Sequence, residues 1–212
     1  MGEDAHASGV QVREPQREGL LRVRHVVHGV GVVTSHRDPF ELLGAPRRFD
    51  LDLFSLEKTH RELSRALHPD KFAQASASER RAALEKAASV NEAWRTLRDP
   101  IRRAEALFTL AGIPVGEDRE PKSSPMFLMD VMEQREELAE ARAKKDLPRV
   151  RKIGEAMKAK AAATEAKLAG GFATGAERDA LERMLPLLGE LRFFRRFLDE
   201  ISAIEEENED LP

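Results

Sequence analysis

The chain has 212 residues, of which 41% are hydrophobic and 34% charged, a balance that fits one or two small globular domains better than one large core. The aromatic fraction is only 5% and helix-forming residues dominate, while a net charge of −3 argues against nucleic acid as a partner. The absence of cysteine excludes disulfides, thiolate zinc sites and cysteine nucleophiles and fits a cytoplasmic location, and no apolar run approaches the roughly 20 residues of a membrane-spanning helix.

Residues 1–36 are predicted to form a poorly ordered N-terminal extension, because glycine, proline and mixed charges dominate its first half. Residues 20–27 alternate loosely between apolar and polar side chains and could form a strand, but no second strand is evident to pair with it. His25, His28 and His36 are weak evidence for a metal. We therefore expect neither a metal nor another cofactor.

Residues 37–112 are predicted to form a helical domain. A short apolar turn ends at Gly44, and a second helix, capped by Asp52 or Ser55, carries three leucines on one face. Pro69 then ends this helix and begins a turn. A third helix is predicted from about residue 78 to residue 97, packed antiparallel against the second.

The dipeptide Asp99-Pro100 gives a strong start signal for a fourth helix, which ends at Gly112. Residues 113–124 are polar and broken by prolines, which predicts a linker. Helices are then expected at about 125–145, starting from Ser124 as the cap, and at 148–169, where Gly170 and Gly171 close the second.

A capping box of Thr174 and Glu177 predicts the start of the last helix, and Pro186 is expected to kink or divide it. We therefore predict an antiparallel three-helix bundle over residues 125–206, followed by an acidic tail at 207–212. The predicted fold class is all-α, with two helical domains joined by the linker.

The tripeptide His68-Pro69-Asp70 lies between two amphipathic helices that must run back on each other. Its side chains are therefore expected to project from the tip of a hairpin, where proline stiffens the chain. A rigid loop loses less entropy on docking than a flexible one. Arg61, Arg65 and Lys71 flank the tripeptide, and such a basic surface favours an acidic partner.

This tripeptide, continued by Lys71-Phe72, resembles the signature of a J-domain. The segment from Val90 to Pro100, with the sequence VNEAWRTLRDP, resembles the third helix and exit of that domain. The resemblance implies that the chain engages a DnaK-type chaperone and stimulates its ATPase. It assigns His68, Pro69 and Asp70 as the stimulating loop. It assigns Arg61, Arg65 and Lys71 as the charges that dock on the chaperone.

The C-terminal part narrows the resemblance to the HscB family, the J-proteins that serve iron–sulfur cluster assembly. Phe127-Leu128-Met129, the run from Glu133 to Leu138 and Leu191-Arg192-Phe193 are similar to HscB segments, and the match covers residues 38 to about 206. Membership implies a DnaK- or HscA-type chaperone and an IscU-type scaffold as partners. It assigns scaffold binding to Leu128, Met129, Met132, Glu133, Glu136, Glu140 and Phe193.

Helical spacing supports this binding strip independently, because the residues at positions 129, 132, 133, 136 and 140 share one face of the helix that starts near Met126. An apolar and acidic face is poor core material, since buried carboxylates need partners. As a binding surface it fits, because methionine adapts to a client and acids select basic groups. Phe193 and Phe197 lie off the main apolar seam and are expected to extend the strip.

Each assignment has a plainer alternative. The tripeptide could be an ordinary turn capped by Asp70, with its flanking arginines merely solvated. Leu128, Met132 and Phe193 could belong to the bundle core. An enzyme would use His68 as a general base, but no nucleophile, cofactor loop or metal cluster accompanies it, so we do not expect an enzyme. The alternative to the iron–sulfur role is a general J-domain co-chaperone with unrelated clients.

Overall fold

A computed structural model describes residues 38–116, 123–175 and 177–209, and within these ranges all regular structure is helical. This confirms the all-α prediction. The proposed strand at 20–27, the three histidines before Arg37 and residues 117–122 of the predicted linker lie outside the described residues. The helices, in chain order, are α1 Pro39–Leu42, α2 Leu53–Ala66, a 3₁₀ turn Pro69–Phe72, α3 Ala77–Arg98, α4 Pro100–Leu110, α5 Pro125–Ala143, α6 Leu147–Ala173, α7 Arg178–Glu182 and α8 Leu185–Glu209.

Side-chain caps define most of the helix starts. Asp52, rather than Ser55, caps α2, and Asp99 and Ser124 cap α4 and α5 by accepting hydrogen bonds from first-turn N–H groups. Ser76 forms a capping box at the start of α3, so this helix begins slightly before the predicted residue. The cap-plus-proline signals therefore mark the starts of α4 and α5, as predicted from the sequence.

Helices α1 to α4 pack around buried Phe40, Leu56, Val90 and Leu97. Apolar residues recur in α3 at positions 83, 87, 90, 94 and 97, in steps of four and three, and this spacing predicts that Trp94 faces the core. Trp94 is only half-buried. Its ring instead stacks on that of His60 of α2, with the ring centroids 5.2 Å apart. The neighbouring Ala93 takes the buried position, at 3% exposure.

The three long C-terminal helices form the predicted bundle, in which α6 runs antiparallel to both α5 and α8. Lys160 of α6 pairs with Asp130 of α5 at 2.5 Å. On the other side of α6, Arg151 lies 3.2 Å from Glu205 near the end of α8, and Thr164 lies 3.3 Å from Glu190 near its start. The larger buried apolar side chains of this bundle include Leu138, Val150, Ile153, Met157, Leu168, Leu188, Leu191, Phe194, Phe197, Ile201 and Ile204.

The predicted end of α6 at Gly170 and Gly171 is wrong, because the helix continues to Ala173. Phe172 provides the reason, since its ring packs against Phe108 at a centroid distance of 5.0 Å and burial there offsets the low helix propensity of glycine. Gly171 also has a packing role. A Cβ at this position would lie 2.3 Å from the sulfur and methyl group of Met184, so a larger residue would require the flexible Met184 side chain to move.

Two further expectations concern the start of the last helix. The predicted capping box is wrong, because Thr174 donates to the Gly171 carbonyl and Glu177 begins α7 without a side-chain cap bond. The predicted division at Pro186 is confirmed, because α7 ends before it and Pro186 lies in the first turn of α8. Proline is tolerated there because first-turn N–H groups have no partner within the helix.

Helix α4 joins the N-terminal helices to the bundle. Arg192 of α8 lies 2.5 Å from Glu105 of α4, and Phe172 of α6 packs against both Phe108 of α4 and Phe49. Ile113, which the sequence places in the linker, is 1% exposed. The N-terminal helices and the bundle therefore share a continuous packed region. No helix in the described parts of the chain is long and apolar enough to span a membrane.

Candidate functional site

The His68-Pro69-Asp70 tripeptide, called here the HPD turn, projects between α2 and α3 as predicted. His68 has extended backbone, and its carbonyl accepts a hydrogen bond from the Lys71 N–H at 3.0 Å. Its Nδ1 accepts from the Asp70 N–H at 3.4 Å and lies equally far from the Asp70 carboxylate. The His68 and Asp70 side chains are 58% and 89% exposed, so the turn fixes their separation while leaving both accessible.

The basic residues near this turn are also exposed. Arg61 pairs with Glu57 one turn earlier on α2. Arg65 and Lys71 make no ion pair within the described residues. An exposed pair such as Arg61–Glu57 contributes little stability, so Arg61 can exchange its partner at small cost. The structure therefore presents all three cations to solvent.

His60 of α2 has a packing role. Its Nε2 lies 2.9 Å from the Asn91 Oδ1 of α3, and its ring stacks on Trp94. These contacts hold α2 against α3 behind the HPD turn. The sequence gives no local signal for this contact, because it joins residues 31 positions apart.

The apolar residues of the predicted scaffold-binding strip lie on the solvent side of α5. Leu128, Met129 and Met132 are 51%, 71% and 64% exposed, so the alternative that Leu128 and Met132 belong to the core does not hold. Met126 in the first turn is 82% exposed and lies one turn before Met129. Sequence reasoning missed Met126, although its i, i+3 spacing to Met129 was a usable signal.

The acidic members of the strip are exposed as well. Glu133 and Glu136 make no ion pair within the described residues, whereas Glu140 contacts Lys144 at 2.6 Å and Arg149 at 3.1 Å. The hydrogen bond from Lys144, with the charges of both basic residues, holds the pKa of Glu140 below its ordinary value. We use the name α5 strip for Met126, Leu128, Met129, Met132, Glu133, Glu136 and Glu140.

Phe193 is half-buried rather than freely exposed. Its ring meets Phe127 of α5 edge-on at a centroid distance of 5.6 Å, and Arg135 lies 5.9 Å from its centroid. The expectation that Phe197 extends the strip is wrong, because Phe197 is completely buried. Phe197 points from α8 into the bundle, so of these two phenylalanines only Phe193 borders the surface.

Comparison with known proteins identifies the family. The model of the HscB C-terminal oligomerisation domain matches residues 123–202. A co-chaperone protein HscB homolog of Vibrio cholerae is 48% identical over 99 residues, which cover 47% of this chain and 58% of that protein. A co-chaperone protein HscB homolog of Burkholderia thailandensis is 35% identical over 164 residues, 77% of this chain and 91% of its own length.

A solved structure shows the same architecture. Chaperone HscB from Vibrio cholerae superimposes with a TM-score of 0.70 at 33% identity, covering 80% of this chain and 98% of its own. This likeness includes both the N-terminal helices and the C-terminal bundle, because a match of that coverage exceeds either part alone. The resemblance inferred from sequence is thereby confirmed, and the chain belongs to the HscB family of co-chaperones.

Proposed function

We propose that this co-chaperone stimulates ATP hydrolysis by a DnaK- or HscA-type chaperone through the HPD turn and delivers to it an IscU-type scaffold bound at the α5 strip. The observation that carries the proposal is that one packed chain exposes two chemically different surfaces, a basic turn and an apolar acidic strip. The chain supplies no chemistry of its own, and ATP is hydrolysed by the chaperone. The lack of cysteine favours the reducing cytoplasm as the site of action.

At the chaperone, His68 and Asp70 act as a fixed pair. The hydrogen bonds within the turn hold them in place before contact, so little conformational entropy is lost on docking. Arg61, Arg65 and Lys71 attract an acidic surface of the chaperone and accelerate encounter. The same charges make the association sensitive to salt.

At the scaffold, the α5 strip supplies adaptable apolar contact from its methionines and leucine. Glu133 and Glu136, which lack partners within the described residues, select basic groups at the rim of the client. Phe193, fixed by Phe127, gives the strip a rigid aromatic edge. These features together favour a client surface that is apolar at its centre and basic at its margin.

The two surfaces act together because they belong to one chain. Holding the scaffold on the bundle raises its effective concentration near a chaperone bound at the HPD turn. The Arg192–Glu105 pair and the packing of Phe172 against Phe108 restrict the relative motion of the two parts. Such restriction increases the benefit of linking the two sites.

A chaperone ATPase assay with and without the scaffold tests the proposal. We expect this chain to stimulate turnover alone and, together with an IscU-type scaffold, to stimulate it by more than the sum of the separate effects. Equal stimulation with an unrelated client protein in place of the scaffold would instead support a general J-domain co-chaperone.

A further inference from the structure

Within the described residues, the exposed sulfur of this chain lies on one surface. The chain has six methionines and no cysteine, so methionine carries all of its sulfur. Met126, Met129 and Met132 are 82%, 71% and 64% exposed, and all three belong to the α5 strip. By contrast, Met157 in the bundle core is fully buried, and Met184 is half-buried against Gly171 and its neighbours.

Exposure decides which methionines react with a dissolved oxidant. A peroxide must reach the thioether sulfur directly, and the strip methionines offer their side chains to solvent while Met157 does not. Their spacing of three residues along α5 places the sulfur atoms within the first turns of one helix. An oxidant that attacks this protein therefore modifies the docking surface before the core.

We propose that the α5 strip is a reversible methionine-oxidation site, at which a peroxide converts Met126, Met129 and Met132 to sulfoxides and thereby releases the scaffold. The inference rests on the proposed function of the strip. In each event the peroxide O–O bond breaks and one oxygen bonds to the thioether sulfur, which loses two electrons. The other oxygen leaves as water when the oxidant is hydrogen peroxide.

The sulfoxide weakens docking because it is polar where the client contact is apolar. Its oxygen is a strong hydrogen-bond acceptor, and the charged members of the strip are carboxylates, which donate nothing when ionised. Burying the new oxygen against a client without a donor costs enough free energy to weaken binding by about tenfold or more. The helix itself is unaffected, because the three side chains contribute to its exposed face only.

Methionine sulfoxide reductases reverse the reaction with two electrons from an external dithiol, which becomes a disulfide while the sulfoxide oxygen leaves as water, so the strip can return to its apolar state. The HPD turn contains no sulfur atom and is unaffected by the same dose of peroxide. Oxidation is therefore expected to separate the two activities, with loss of scaffold delivery and retention of chaperone stimulation.

The test uses the full chain, treated with hydrogen peroxide and then freed of oxidant before the scaffold is added, so that scaffold cysteines stay reduced. Peptide mass mapping should show one added oxygen on each of Met126, Met129 and Met132 while Met157 remains unmodified. Titration calorimetry should show a dissociation constant for the scaffold raised by about tenfold or more. Treatment with methionine sulfoxide reductases of both stereospecificities, together with a dithiol reductant, should restore the affinity.

The matched control is the triple variant Met126→Leu, Met129→Leu, Met132→Leu, which keeps the strip apolar but removes its sulfur. Its affinity for the scaffold is measured before and after the same treatment, and peroxide should leave that affinity unchanged. Equal oxidation of Met157, or unchanged affinity of the oxidised chain, would overturn the inference while leaving the proposed function intact. Failure of both the untreated chain and the leucine variant to bind scaffold would instead refute the proposed function and, with it, the release step.

Discussion

Arg195 of α8 contacts Asp99, the residue that caps α4, at a distance of 2.8 Å. The same carboxylate accepts a hydrogen bond from the Arg102 N–H at 3.0 Å. One side chain therefore begins α4 and also joins it to the C-terminal bundle. Helix α4 belongs to the domain that carries the HPD turn, and α8 belongs to the bundle that carries the α5 strip. The Arg195–Asp99 contact therefore joins the two parts of the chain that carry the proposed binding surfaces.

Replacement of Asp99 should reveal both roles. Asp99→Ala removes the cap and the ion pair and is expected to lower the free energy of unfolding by about 1 to 2 kcal/mol. Asp99→Asn keeps a capping oxygen and removes only the charge, so it should cost less than about 1 kcal/mol. Urea unfolding of both variants at neutral pH measures the difference. Equal stability of the alanine variant and the parent chain would contradict a capping role.

The charge of Asp99 also predicts a pH dependence. Burial acts to raise the pKa of Asp99, but the Arg102 N–H and Arg195 outweigh it and hold the pKa below the ordinary value of 3.8. The charge therefore contributes stability above that ordinary value, and this contribution is lost as pH falls through the depressed pKa. The stability difference between the parent chain and Asp99→Asn should be largest near neutral pH and vanish in strong acid. A difference that persists in strong acid would show that the ion pair is not its source.

Arg103 is expected to be the most sensitive charged position in α4. It is 6% exposed, donates to the Phe49 carbonyl at 2.7 Å, and lies 4.9 Å from the centre of the Phe49 ring. Arg103→Ala leaves that carbonyl without its donor and opens a cavity, which should cost about 3 kcal/mol. Exposed Arg102 provides the control, since Arg102→Ala should change stability by no more than about 0.5 kcal/mol. Thermal unfolding of both variants measures the two losses of stability. Equal losses would contradict a special role of Arg103.

The parts of the fold that local chemistry specifies could be predicted from the sequence. Asp99 and Ser124 each precede a proline, and this local signal is sufficient to start α4 and α5. The end of α6 could not be predicted, because it depends on Phe172 meeting Phe108, which is 64 positions away in the chain. Local propensity carries no information on such a contact.

In the candidate sites, too, local features could be predicted from the sequence and long-range packing could not. The exposed position of the HPD turn follows from two helices and a proline, all of which are visible in the sequence. Phe193 and Phe197 share a helical face in the sequence, yet the packing of α8 buries Phe197 completely and leaves Phe193 at the border. The buried position of Arg103 also gives no signal in the sequence, because its partner is a distant backbone carbonyl.

Removing side chains from the scaffold surface should affect scaffold binding alone. Met129→Ala combined with Phe193→Ala is expected to weaken scaffold affinity by about tenfold or more, because both contribute apolar contact area. The variant should stimulate the chaperone normally in the absence of scaffold. Since Phe193 is packed against Phe127, Met129→Ala alone provides a variant whose folding is not at risk. Calorimetry measures the affinity.

A matched control for the strip is Leu84→Ala, which removes a leucine that is 57% exposed on α3, outside the strip. It should leave scaffold affinity unchanged. If Leu84→Ala weakens binding as much as Met129→Ala does, the scaffold does not dock on the α5 strip in particular.

The most direct test of the account is the ATPase activity of the chaperone in the presence of His68→Gln. This substitution removes the imidazole from the exposed HPD turn without touching the buried core, and Gln74→Ala, at an exposed position just after the turn, is its control. We expect His68→Gln to abolish stimulation of the chaperone and to bind the scaffold with parental affinity. Gln74→Ala should stimulate the chaperone normally. Full stimulation by His68→Gln would contradict the central claim that the HPD turn acts on the chaperone.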